Sequence, residues 1–182
     1  MNKEKDLTYY LPRYFDVELK NNINVSENTI ISYKYTFISL LKYISNVLNK
    51  KIQNIILFDF NKNIIGNYLN YLENDKNNSI STRNQRLAAI KSFFDYLAED
   101  DIKYIPLSNE INTIKFKKKQ DNSIKYLSKE AIKEILSLPN TSTNSGIRDL
   151  AILTLLYDSA ARVQEIIQLK CSDINLEKKI IY

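Results

Sequence analysis

Leu155–Leu169 reads LLYDSAARVQEIIQL. An apolar helical pattern runs into Asp158-Ser159, two alanines follow, and Arg162 opens a second helical pattern. A cation in the first turn of a helix faces the positive end of the macrodipole, so its placement there needs a reason. Glu165 lies three residues on, a spacing that puts both side chains on one helix face. Without other context the pair reads as a surface ion pair worth roughly a few tenths of a kcal/mol.

Composition narrows what the rest of the chain does. Of 182 residues, 44% are hydrophobic and 11% aromatic, enough for a buried core and at most two small domains. Two glycines and three prolines are too few for an all-β protein built on tight turns. One cysteine, Cys171, excludes an intramolecular disulfide and suits a reducing cytoplasm. Histidine is absent, which removes the commonest general base and the commonest zinc ligand together. No run of about 18 apolar residues is present, and no signal peptide opens the chain, so a membrane partner is not expected. The net charge of +5 permits a polyanionic partner without demonstrating one.

Helical periodicity extends over nearly the whole chain. A first helix is expected at residues 7–20, with Tyr10, Leu11, Phe15 and Leu19 inward and Pro12 in its first turns. Ser26 is placed to cap a long helix that buries Ile30, Tyr33, Phe37, Leu40, Leu41 and Ile44. A third helix lies near residues 61–72. A fourth starts near Ser81 and buries Leu87, Ile90, Phe94 and Leu97, and a short fifth follows Pro106. The run KFKKKQDNSIK, 115–125, carries four lysines in five positions and reads as an exposed linker. Beyond it Ser128 caps a helix with Glu130 near its start, TSTNSG reads as a loop, and 148–157 as an apolar helix. CSDINLEKKIIY reads as a turn into one β-branched strand with no partner in the chain.

The whole pattern resembles the tyrosine recombinase (phage integrase, Xer-type) family. Ser26, Thr29 and Tyr33 fit its S-x-x-T-x-x-x-Y helix start, and Thr82–Leu97 fits its T-x-N-x-x-L-A-A-I-K-S-F-F-x-Y-L helix. LSKEAIKEIL looks like the entry to its catalytic domain, and RDLAILTLLYDSAARVQEIIQLKCSDI like its arginine signature. The resemblance implies a mainly α fold. A helical, SAM-like core-binding domain would occupy 1–112, a basic linker 113–126, and the incomplete N-terminal part of an α/β catalytic domain 127–182. It also implies that Arg162 grips the scissile phosphate while Glu165 orients it. A helix N-terminus already favours an anion, and a guanidinium adds a planar fork matched to phosphate oxygens.

Two departures stand out. The family has glycine where this chain has Ala160, which fits only if φ stays negative or the strain is tolerated. The nucleophilic tyrosine, the hairpin lysine and the H-x-x-R helix of the family all lie downstream of the arginine signature. This chain has no His or Trp, and none of its 13 tyrosines sits in the nucleophile's context. It therefore reads as an N-terminal portion, inactive alone, of an enzyme that breaks and rejoins DNA through a phosphotyrosine link. The resemblance implies no metal or other cofactor. Its implied partners are double-stranded DNA and further recombinase protomers, tetrameric on paired sites.

DNA contact by the helical half also has a reading from the residues. On the fourth helix Asn84, Gln85 and Lys91 lie away from the apolar stripe, and Arg83 and Arg86 stand near the start, in reach of phosphates. Thr29, Tyr33 and Lys34 on the second helix and Lys117, Lys118 and Lys119 in the linker complete the candidate set. Two alternatives stay open: a helical protein–protein module whose basic linker docks on an acidic partner, and a non-catalytic binder that occupies recombination sites.

Overall fold

The computed structural model describes residues 6–118, 126–175, 177–178 and 180–181. The chain divides into two compact units, Met1–Asp121 and Asn122–Tyr182. The described residues are mainly helical.

The first unit opens with α1, Leu7–Arg13, capped by the Asp6 carboxylate, which accepts the amides of Thr8 and Tyr9 at 3.0 and 3.1 Å. The regular helix expected to residue 20 changes character at Tyr14, and Tyr14–Asn22 is π-helical. Pro12 lies inside α1; it has no N–H and its ring crowds the carbonyl one turn back, so the ladder has to rearrange there. The wider turns bury Tyr14 beside Phe15 and Leu19, an inward position that a strict α period hides.

Helix α2, Glu27–Leu48, starts on Ser26 as its sequence indicates, with the Thr29 amide donating to Ser26 Oγ at 3.3 Å. Helix α3, Lys62–Asn74, is capped by Asn61, and α4, Ile80–Asp100, by Ser79. The fourth helix starts earlier than Ser81 because Ser79 Oγ accepts the Thr82 amide at 3.2 Å. Helix α5, Ile105–Asn112, carries Pro106 in its first turn, where a missing N–H costs nothing. Helix α4 is the centre of the bundle: Leu87, Ile90, Phe93, Phe94 and Leu97 are fully buried. Phe93 meets Phe37 of α2 at 4.9 Å and Tyr14 at 5.2 Å between ring centroids, edge to face, a geometry that adds to simple burial.

The second unit contains α6, Lys129–Ser137, α7, Asn144–Ser159, and α8, Val163–Gln168. Helix α7 begins inside the TSTNSG stretch expected to be a loop, because Thr143 Oγ1 accepts the Gly146 amide at 3.1 Å. Gly146 has to be glycine: a Cβ there would sit 1.9 Å from the Asn140 carbonyl oxygen. The terminal strand also differs from expectation. Strands β1, Ile174–Asn175, and β2, Ile180–Ile181, pair antiparallel, with Ile174 opposite Ile181. The partner was hidden because two residues are too short for period-two alternation to register.

Between α7 and α8 the chain turns at Ala160, whose φ of 51° and ψ of 22° are left-handed. The negative φ that would suit alanine is not adopted. Ala160→Gly is therefore expected to stabilise the second unit by about 0.5–1 kcal/mol, the strain removed less the extra chain entropy of glycine. Limited proteolysis within 144–169 should slow in that variant; unchanged or faster cleavage would contradict the strain.

Candidate nucleic-acid interface and phosphate site

The candidate residues fall into three groups. At the start of α2, Thr29 is half-buried and its hydroxyl lies 2.9 Å from Ser26 Oγ, so it serves the cap. Tyr33 is half-buried against the core, and burial holds its phenol above the ordinary range. Lys34 is exposed, with its ammonium 3.6 Å from Asp16 and 5.5 Å from the centre of the Phe15 ring.

The second group surrounds the start of α4, and here the structure corrects the reading of two arginines. Arg83 is buried at 6% exposure. Its Nη1 donates to the Lys115 carbonyl at 3.0 Å and to Asn84 Oδ1 at 3.1 Å. Its Nε lies 3.3 Å from Glu73 Oε1, a close ion pair without a well-aligned hydrogen bond. Arg86 is half-buried, with Nη1 donating to the Ser32 carbonyl at 2.8 Å and to the buried Thr36 hydroxyl at 2.9 Å. Both long side chains reach across to neighbouring segments of the bundle; Arg83 is not free for a phosphate, and the Nη1 of Arg86 is spent within the bundle.

The other members of this group meet the chain that follows α5. Lys91 donates to the Asn112 carbonyl at 2.9 Å, at the end of α5 where carbonyls lack helical partners, and its ammonium lies 4.9 Å from the centre of the Phe116 ring. Burial, with Arg83 nearby, holds that ammonium below the usual lysine range. The Asn84 amide donates to the Lys117 carbonyl at 2.7 Å while its oxygen accepts the Lys117 amide at 3.0 Å. The Lys117 ammonium pairs with Glu73 at 2.9 Å. The basic run is thus held on the first unit as far as Lys117, and Ile114 packs into the core. Gln85, Lys115 and Lys118 are exposed; Lys119 lies outside the described residues. Sequence reasoning passed over Glu73 and Phe116, since neither belongs to a local pattern that names its partners.

The third group is Arg162 and Glu165. Arg162 occupies the cap position of α8, one residue before its first turn. Glu165 Oε2 accepts the Arg162 amide at 2.7 Å and Oε1 accepts Nη1 at 3.0 Å. The backbone N–H, then the guanidinium, hold the Glu165 carboxyl below the ordinary range. The Arg162 side chain is 86% exposed. The carboxylate therefore fixes the base of the guanidinium and engages one of its five N–H groups. Among the described residues no cluster of acidic or cysteine side chains could hold a metal, and no helix is long and apolar enough to cross a membrane.

The comparisons with known proteins bear on both units. Residues 13–101 match the phage integrase N-terminal SAM-like domain, and residues 125–182 match the phage integrase family. A Sinorhizobium fredii protein named as an integrase/recombinase is 31% identical over 178 residues, covering 98% of this chain and 63% of that protein. Tyrosine recombinase XerC of Pelotomaculum thermopropionicum is 28% identical over 167 residues, covering 92% of this chain and 53% of the relative. Tyrosine recombinase XerD of Rickettsia prowazekii is 31% identical over 154 residues, covering 82% and 45%. This chain belongs to the phage integrase (tyrosine recombinase) family, with a SAM-like N-terminal domain and part of the catalytic domain. It spans about half the length of these relatives.

Proposed function

We propose that this chain binds duplex DNA in site-specific recombination, the helical domain holding the duplex and Arg162 orienting a backbone phosphate. The observation that carries the reading is the Arg162 cap. Its guanidinium is anchored by Glu165 on one side and open to solvent on the other, so its remaining N–H groups match phosphate oxygens in a fixed fork. Backbone contact by the first unit falls to Lys34, Lys115 and Lys118, whose side chains are exposed. Lys117 joins them where a phosphate outcompetes Glu73. Thr29, Tyr33, Asn84, Gln85 and Lys91 stand as candidates for closer contact. Assembly with further copies of the chain on paired sites, in the cytoplasm, completes the proposal.

A duplex titration across salt concentrations tests it. Three or four neutralised phosphates give a log–log slope of about −3, at 0.9 per contact. A flat dependence would leave the protein–protein module as the better reading. Replacing Lys115 and Lys118 together by Gln is expected to make the slope shallower by about 2. An unchanged slope would reduce the basic run to a solubilising segment.

A further inference from the structure

We propose that Lys115–Lys118 is a strap lying on the polar face of α4, anchored at Ile114 in the core, and that duplex DNA is the rival occupant of that face. The inference rests on the DNA-binding reading above and adds a regulatory step to it. Besides the Lys117–Glu73 ion pair, three contacts hold the strap. The Asn84 side chain pairs reciprocally with the Lys117 backbone at 2.7 and 3.0 Å, as one strand edge pairs with another. Arg83, anchored against Glu73, donates to the Lys115 carbonyl. Phe116 lies over the Lys91 ammonium.

The consequence is geometric. An open groove of about 340 Å³ is lined by Phe116 of the strap, by Glu18, and by Lys91, Ser92, Asp95 and Glu99 of α4. The part of the polar strip around Lys91 and Ser92 therefore lines a groove, while Gln85 stays exposed. A helix that reads the major groove has to stand proud enough to enter a channel about 12 Å wide. With the strap in place, Asn84 and Lys91 of α4 are covered by Lys117 and Phe116.

The electrostatics point the same way. Lys91 and Lys117, two of the cations nearest the strip, are turned inward to the Asn112 carbonyl and to Glu73. Releasing the strap frees the Asn84 amide and uncovers the Lys91 ammonium, adding hydrogen-bond donors to the exposed face of α4, while the Lys117 ammonium leaves Glu73 and becomes available on the strap itself. Phosphates gain most from the released form, so DNA shifts the balance toward it. Phe116 is 52% exposed although it is a large apolar ring, the mark of a segment seated on a surface and not built into the core.

Hydrogen exchange of the Lys117 amide in the whole chain, with and without saturating duplex DNA, tests the strap directly. Its N–H donates to Asn84 in the closed form, so exchange should be slowed in the free protein and speed up roughly tenfold on binding. Phe116→Ser should raise DNA affinity about fivefold, because apparent affinity scales with the fraction in the competent form. An unchanged urea midpoint would show that this exposed substitution leaves the bundle folded. A complex in which the Lys117 amide is equally or better protected overturns the strap while leaving DNA binding intact. So does a Phe116→Ser variant of unchanged or weaker affinity. Absence of any complex at low salt instead removes the DNA reading itself, and the rivalry with it.

Discussion

Arg83→Ala is expected to destabilise the first unit by about 3 kcal/mol while leaving the salt dependence of DNA binding unchanged. The side chain is 6% exposed and joins three elements: Glu73 near the end of α3, Asn84 on α4 and the Lys115 carbonyl beyond α5. Removing one partner of a buried ion pair costs about 3–5 kcal/mol, because the other charge stays behind without compensation. Here Lys117 still reaches Glu73 at 2.9 Å, which places the loss at the lower end. Arg86→Ala should cost less, about 2 kcal/mol, since Thr36 Oγ1 still donates to the Ser32 carbonyl at 3.0 Å after the guanidinium is gone. Urea unfolding of the two variants measures both, with a shift in midpoint at constant slope as the signature. A phosphate-contacting Arg83 would give the opposite pattern: little loss of stability and a slope shallower by about 0.9.

The contrast between those arginines and the rest of the fold shows where sequence reasoning reaches. Ser26 and Ser128 were readable as caps because the amides they accept lie three residues on, within the window that a pattern covers. Leu87, Ile90, Phe94 and Leu97 were readable as a buried stripe for the same reason: helical period is local. Arg162 and Glu165 sit inside one turn, and their spacing predicted their contact. Arg83 and Arg86 sit equally visibly at the start of α4, yet their partners are 32 and 54 residues away. Nothing in residue type separates a guanidinium bound for a phosphate from one bound for a carbonyl across the bundle. The change to π-helix after Pro12 was half-visible: the proline marks a disturbed ladder but not how the next two turns absorb it.

The chemistry gives the remaining large effect, and it is the loss of a step. The resemblance to the tyrosine recombinases implies a reaction that begins when a tyrosine hydroxyl, giving its proton to a base, attacks the scissile phosphorus. A 3′-phosphotyrosine forms, and the departing 5′-oxygen takes a proton from a general acid. In the role proposed for it Arg162 would hold the phosphate and stabilise the charge that builds on it, yet electrostatic stabilisation does not replace the covalent step or the proton. The 182 residues include no histidine, and the buried tyrosines are poor nucleophiles: burial pushes the phenols of Tyr10 and Tyr14 well above their ordinary range, with Asp100 adding to the shift at Tyr10. Incubated with a duplex nicked beside the scissile phosphate, the 182-residue chain should therefore give no covalent protein–DNA adduct on a denaturing gel. An adduct mapped to any of its tyrosines would show that these residues hold a complete nucleophilic centre. The same chain carrying Arg162→Ala should bind duplex only about two- to fivefold more weakly, since one phosphate contact among several is lost. It should also unfold at the same urea concentration, because the Arg162–Glu165 side-chain pair is exposed and the Glu165 bond to the backbone amide of residue 162 does not need the guanidinium. Unfolding of that variant would mean that the guanidinium serves the fold of the second unit, and the phosphate role would lose its strongest support.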